Sequence, residues 1–428
     1  MFSPRMRSLA IVSLDYIRPK DPSMPLGVAS IIANLKKNCI DHESFLYNVR
    51  HDVDPGQIVD DVMSSKATDV MIGAFVWNEP YVQYIMEKIS PYKRIVIGGP
   101  QVSYVGAREL EYFYPNAFGF IRGYAEQATV EYAKMNDTFP GIHIANTPDK
   151  NLQAKVDLEA LPSPLTNNIV SPRAFLRWET QRGCPYQCSF CQHRDATSSG
   201  VAKIFKSRVQ EEIDWIKDTN VNDIAILDPT FNTDTSHASW ILSKLPKSKV
   251  SLQIRPEKLN RRFLQAVVES DADIVLEMGV QTLIPNEMEL IERVKGGDPH
   301  KVVDKVKEKL LLAEEYNVKK EITLIYGLPR QSISSFMYTL EWCNTNTTAK
   351  VVSFPLMLLR GTPLYYKKHE LQLVEGVRHF TDEHRISDNI PHVISTPTMT
   401  ETDWWKMGKF SEMYHKGNFN HQKEAVHP

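Results

Sequence analysis

Short apolar runs alternate with stretches of helical spacing along most of the chain. Residues 9–14 form the first such run and end at a Pro-rich loop, 18–25. Leu26–Lys37 follows with Ile31, Ile32 and Leu35 on one face, the spacing of an amphipathic helix. Residues 44–48, 69–77, 94–97 and 117–121 read as further strands, with a helix starting at Pro80. The fourth of these five runs ends at Gly98-Gly99-Pro100 and the fifth at Arg122-Gly123. Strands that alternate with helices predict a parallel, doubly wound, Rossmann-like sheet over residues 1–135, with its ligand beyond the carboxyl ends of the strands. Those ends fall at 16–25, 75–79 and 98–103.

The pattern weakens over 136–174, where prolines interrupt it, and this stretch reads as a linker. A second α/β array then begins. Residues 175–180, 224–227, 251–255, 274–279, 321–326 and 351–356 are its strands, with helical stretches at 209–217, 262–269, 302–316 and 333–343 between them. Six strand–helix units over 175–366 predict an α/β partial barrel, (β/α)6, with reactive groups at the carboxyl ends of its strands. Residues 367–428 are a mixed C-terminal extension, in which Trp404-Trp405 is expected to pack onto the body.

Charge narrows the partners. The 50 basic and 52 acidic residues give a net charge of −2, so no global basic field favours nucleic acid. No apolar run reaches roughly 18–20 residues, so no membrane span is expected. The first apolar run is broken by Asp15 and reads as a strand rather than an export signal, which makes the cytoplasm the expected compartment.

Cysteine usage points to chemistry. Of five cysteines, Cys184, Cys188 and Cys191 fall within eight residues, in the spacing CxxxCxxC. A zinc site usually takes four ligands in CxxC pairs; no second pair exists, and His193 lies very close to Cys191. Soft thiolates suit iron–sulfur clusters. Three on one loop can hold three irons of a [4Fe–4S] cubane and leave the fourth open to the amino and carboxylate groups of S-adenosylmethionine (SAM).

The segment from Glu179 through Gly183-Cys184-Pro185 to Phe190-Cys191 resembles the signature of the radical SAM superfamily. Members of that family cleave SAM to a 5′-deoxyadenosyl radical, which abstracts a substrate hydrogen. The resemblance implies that Phe190 lies near the adenine. It implies that Asp228, in Ile226-Leu227-Asp228-Pro229, holds the SAM ammonium in place of the family's Glu. Arg255 is then expected to reach the SAM carboxylate or ribose, and Glu277 and Gln281 the ribose. Gly327, in Ile325-Tyr326-Gly327-Leu328-Pro329, resembles the family's turn beside the adenine, and Arg360-Gly361-Thr362-Pro363-Leu364-Tyr365 its closing segment, with Arg in the first place.

Pro25-Leu26-Gly27, Gly98-Gly99-Pro100 and Arg122-Gly123-Tyr124-Ala125-Glu126 resemble the cobalamin-binding-like domain of one radical SAM subclass. The family commonly shows R-G-E-G-E at the last site, and no D-x-H-x-x-G motif is present to supply an axial histidine. Bound cobalamin and an emptied scaffold domain are both compatible with this pattern.

No further cysteine cluster exists, which favours redox-neutral outcomes. Cys343, at the end of a helix before the sixth barrel strand, is a candidate hydrogen-atom donor, with a buried structural thiol as the plain alternative. The favoured reading is L-to-D epimerisation at a peptide Cα on a ribosomal precursor. The alternatives are a cobalamin-dependent methyltransferase acting on a peptide or small molecule, and a non-catalytic cluster-binding partner. The radical readings require an external electron donor of the flavodoxin or ferredoxin type.

Overall fold

The structure, a computed structural model, describes residues 6–50, 53–193, 200–294, 296–377 and 390–415. Its first sheet contains β1 (Leu9–Asp15), β2 (His42–Asn48), β3 (Asp69–Gly73), β4 (Arg94–Gly98), β5 (Gly119–Ile121) and β6 (Ile142–Ile144), in the order β2-β1-β3-β4-β5-β6. The first five are parallel and β6 runs antiparallel to β5. Because helices cover both faces, β1 is buried along nearly its whole length, as its unbroken apolar run requires. Leu9, Ile11, Met71 and Val96 pack on one side with helices Leu26–Lys37 and Ala125–Ala133; Ala10, Val12, Leu14 and Ile72 pack on the other with Pro55–Ser64 and Glu79–Ile89. The strands are added outward to one side of β1 and then, from β3, to the other, which places the crevice of a doubly wound fold at the carboxyl ends of β1 and β3.

Two boundaries differ from expectation. The third strand stops at Gly73 rather than 77, because Asn78 folds the chain back. Its side chain accepts from Phe75 N at 2.8 Å and donates to Leu14 O at 3.0 Å and Gly73 O at 2.9 Å. The first sheet also extends past residue 135, since β6 and the bridge between Gly123 and Ala154 lie in the expected linker. A three-residue strand is too short to announce itself by periodicity.

The second sheet holds β7 (Phe175–Trp178), followed by a small pair, β8 (Gln181–Arg182) with β9 (Ala202–Lys203). It continues with β10 (Asp223–Ile226), β11 (Lys249–Ile254), β12 (Asp273–Gln281), β13 (Lys319–Tyr326) and β14 (Lys350–Pro355). The six main strands are all parallel, in the order β14-β13-β12-β11-β10-β7, an open partial barrel. Along β12, Ile274, Leu276, Met278 and Val280 are buried while Val275, Glu277, Gly279 and Gln281 on the other face are only partly so.

A hairpin of β15 (Val374–Val377) and β16 (Pro391–Ser395) and the helix Glu401–His415 close the barrel's free edge. Val393 N donates to Leu356 O at 2.8 Å, and Trp404, 1% exposed, meets Tyr326 at 5.5 Å. Trp404 anchors the extension as expected; Trp405 is 40% exposed and does not. The rest of that extension, 378–389 and 416–428, lies outside the described residues. Among the described residues no helix is long and apolar enough to cross a membrane.

Candidate active site

The cysteine loop leaves β7 and is pinned at each step. Thr180 N and Gln181 N donate to Asp228 Oδ1 at 2.7 and 3.1 Å, and Thr180 Oγ1 donates to Oδ2 at 2.5 Å. Gly183 then turns with φ +90°, where an added Cβ would sit 2.4 Å from Gly200 O, so only glycine fits. Further on, Ser189 N donates to Ile291 O at 2.9 Å and Leu364 N to Ser189 O at 3.0 Å. These bonds tie the loop to the end of the helix Pro285–Leu290 and to the Arg360–Tyr365 segment.

All three thiols are partly exposed. Cys184 Sγ lies 3.8 Å from Thr230 Oγ1, Cys188 Sγ accepts from Arg255 Nη1 at 3.8 Å, and Cys191 Sγ accepts from His193 N at 3.3 Å. Among the described residues no three Cys, His, Asp or Glu side chains converge as a single ion would require. Three soft thiolates on one short loop suit a cubane that takes one thiolate per iron.

The other expected site residues divide into two groups. Phe190 and Arg255 stand at the loop. Phe190 packs with Ile291, Leu328, Leu356 and Leu364. Arg255 is buried, stacks on the Tyr186 ring at 3.6 Å, pairs with Glu257 at 3.3 Å and donates to Arg293 O at 2.9 Å. Gln281 closes β12 at a bulge with φ +69°, and its Oε1 has no partner.

Asp228, Glu277, Gly327 and Cys343 are placed differently. Asp228 is 0% exposed, and both its oxygens are taken by Thr180 and Gln181. Burial raises its pKa to about 7 despite those bonds. It locks β7 to β10 while its neighbours Leu227 and Pro229 line the cavity described below, so it is not presented to a ligand's ammonium. Glu277 sits mid-strand in register with Glu321, where burial and that second carboxylate raise its pKa. Gly327, φ +89°, has Val393 O where a Cβ would go, at 2.7 Å, so the C-terminal hairpin demands the glycine.

Cys343 is the clearest correction. It is 0% exposed on the helix Ile333–Asn346, inside the layer between that helix and the barrel wall, and burial lifts its thiol to about 12. In a βα unit the helix returns the chain to the amino ends of the strands, away from the reactive face. Cys343 therefore cannot meet a substrate at the cysteine loop, and epimerisation loses its hydrogen donor.

A cavity of about 560 Å³ lies between the two sheets, at the carboxyl ends of both. Pro25, Gly98, Gly99 and Gly123 line it from the first sheet; Arg177, Glu179, Gln181, Arg182, Gly183 and His193 line it from the barrel side. All three N-terminal motifs singled out in the sequence meet here. Gly99 and Gly123 have φ of +90° and +81°, and an added Cβ would strike Ala74 O at 2.7 Å and Ala154 O at 2.5 Å. Phe75 and Trp77 stack at 4.5 Å on the same wall, and the buried Trp77 indole N–H has no partner.

This architecture has known counterparts. Residues 178–343 match the Radical SAM superfamily. The chain carries a radical SAM domain behind an N-terminal doubly wound domain, an arrangement similar in fold to that of solved cobalamin-dependent radical SAM proteins.

Its relatives are more particular. It is 29% identical over 173 residues to the cobalamin-dependent radical SAM methyltransferase TokK of Streptomyces tokunonensis, covering 38% of this chain and 25% of TokK. It is 25% identical over 329 residues to 2-(S-pantetheinyl)-carbapenam-3-carboxylate methyltransferase of Streptantibioticus cattleyicolor, covering 66% of this chain and 46% of that one. The chain thus spans less than half the length of either curated relative. Among solved structures, the fold is similar to the radical SAM methyltransferase TsrM of Kitasatospora setae with tryptophan and a SAM analogue bound. That match has TM-score 0.71 and 14% identity, and covers 95% of this chain and 89% of TsrM. It is also similar to OxsB with aqua-cobalamin and SAM bound, at TM-score 0.66 and 13% identity, covering 99% of this chain and 69% of OxsB.

Proposed function

We propose that the protein is a cobalamin-dependent radical SAM methyltransferase acting on a small molecule. One observation carries this reading: the glycine-turned carboxyl edge of the first sheet faces, across one cavity, the residues that flank the three-cysteine loop, Arg182-Gly183 on one side and His193 on the other. A methyl carrier on one wall and a radical generator on the other need that arrangement.

The donor sets fit. Three thiolates on one loop suit a [4Fe–4S] cluster with an open iron for SAM. The opposite wall offers bare backbone at Gly99 and Gly123, a stacked aromatic pair and an unpartnered indole N–H, which suits a broad, flat corrinoid rimmed by carbonyls. Names among the relatives and likenesses, TokK as cobalamin-dependent and OxsB with aqua-cobalamin bound, support the same reading. A small-molecule acceptor is favoured by the carbapenam carboxylate and the tryptophan that they name.

When bound, the cluster supplies an electron to SAM and the corrinoid carries the methyl group. The chain's residues do the rest. Cys184, Cys188 and Cys191 would hold the irons. Arg255, in contact with Cys188, sets a positive charge beside the cluster. Phe190 and its apolar neighbours shield the site from water. An electron donor of the flavodoxin or ferredoxin type completes the system.

The test is metal content of the anaerobically purified full chain, reconstituted with iron and sulfide, offered hydroxocobalamin and desalted. About four irons and about one cobalt per chain are expected. Iron without cobalt would reject the methyltransferase reading.

A further inference from the structure

We propose that Arg182 is a positioning residue that moors the cysteine loop to the N-terminal domain through Glu126. The inference rests on the cysteine loop being the cluster loop of the proposed function, and adds what sets its distance from the opposite wall.

Arg182 lies two residues before Cys184, and its side chain is only 11% exposed. Its guanidinium is shared by two carboxylates from different domains. Glu179, three residues earlier, accepts at 2.6 and 3.0 Å; Glu126, on the N-terminal helix Ala125–Ala133, pairs with it at 2.6 Å. Glu126 is itself held, since Ser30 Oγ donates to its carboxylate at 3.0 Å and Asn34 Nδ2 to its carbonyl at 3.0 Å. A planar fork can face two acids at once, which a lysine ammonium does poorly.

The far end of the loop has a second mooring. Gln192, next to Cys191, donates to Pro100 O at 3.2 Å and to Arg360 O at 3.0 Å. Arg360 in turn pairs with Glu79 at 2.9 Å and stacks on Phe113 at 3.7 Å, both in the N-terminal domain. The two moorings meet the two glycine turns that line the cavity, at Gly99-Pro100 and at Gly123–Glu126. The loop is therefore stretched between fixed points of the opposite wall, and of the two ion pairs the one at Arg182 is the more buried, at 11% and 6% exposed against 18% and 18%.

The experiment compares wild type, E126Q and R182K as full chains. Hydrogen–deuterium exchange reads the order of residues 181–193, and the reduced-cluster electron paramagnetic resonance signal is followed during titration with SAM. In E126Q the loop amides exchange about tenfold faster. Iron content stays at the wild-type level, and the SAM concentration needed for half of the spectral change rises about fivefold. R182K, which keeps the charge, falls between. Wild-type exchange rates in both variants would overturn the proposal. Should E126Q fail to fold, R182K alone decides by the same reading. Absence of iron from the wild type would refute the cluster assignment, while the exchange comparison would still decide the mooring.

Discussion

At the scale of single residues, chemistry that reads alike in sequence separates by burial. Asp228 and Cys343 both looked available, and both are 0% exposed. For Asp228 the folded pKa of about 7 exceeds its ordinary 3.8, so the folded state holds the extra proton between those values. Its contribution to stability therefore falls as pH rises through that window. Replacing it with Asn, neutral throughout, should make the variant's Tm gain on wild type as pH rises from 3.8 to about 7. A constant difference in thermal melts would contradict this. Asp228→Ala instead orphans the Thr180 and Gln181 donors and should cost about 3 kcal/mol in denaturant unfolding. Cys343→Ala should cost about 1 kcal/mol of stability and leave the rate of SAM cleavage within about twofold. A complete loss of turnover in a folded variant would restore the hydrogen-donor reading.

At the scale of elements, the long parallel strands were legible because burial on both faces leaves an unbroken apolar run, as in β1 and β4. The barrel strands were legible from a different pattern, one buried face alternating with a partly exposed one, as along β12 and β13. β6 was not, being three residues long and visible only as a partner of β5. The cysteine loop was legible from spacing, since three thiols on one loop need no knowledge of the fold. The roles of Glu277 and Gly327 were not, because they depend on which strand layer and which tail pack against them. Arg182 stood inside the signature segment, but its pairing did not show, because its partner Glu126 is far away in sequence.

Turns yield predictions of their own. Gly99→Ala forces a Cβ against Ala74 O and should lower hydroxocobalamin retention about fivefold, with iron content unchanged, when both are measured on the desalted protein. Gly327→Ala, pressed against Val393 O, should destabilise the fold by about 2 kcal/mol.

At the scale of the whole molecule, function follows from two parallel sheets whose carboxyl ends face each other. Each α/β unit by itself presents its ligands at that edge. Joined face to face, with Arg182 and Arg360 as clamps, they enclose one chamber; under the proposed function it would bring a radical generator and a methyl carrier within reach of a common substrate. The most direct test of this account supplies SAM labelled in its adenosyl group to the reduced, cobalamin-loaded chain and measures the nucleoside products. The account predicts S-adenosylhomocysteine together with 5′-deoxyadenosine, the first only when cobalamin is bound. Formation of 5′-deoxyadenosine alone, at a rate indifferent to cobalamin, would contradict it.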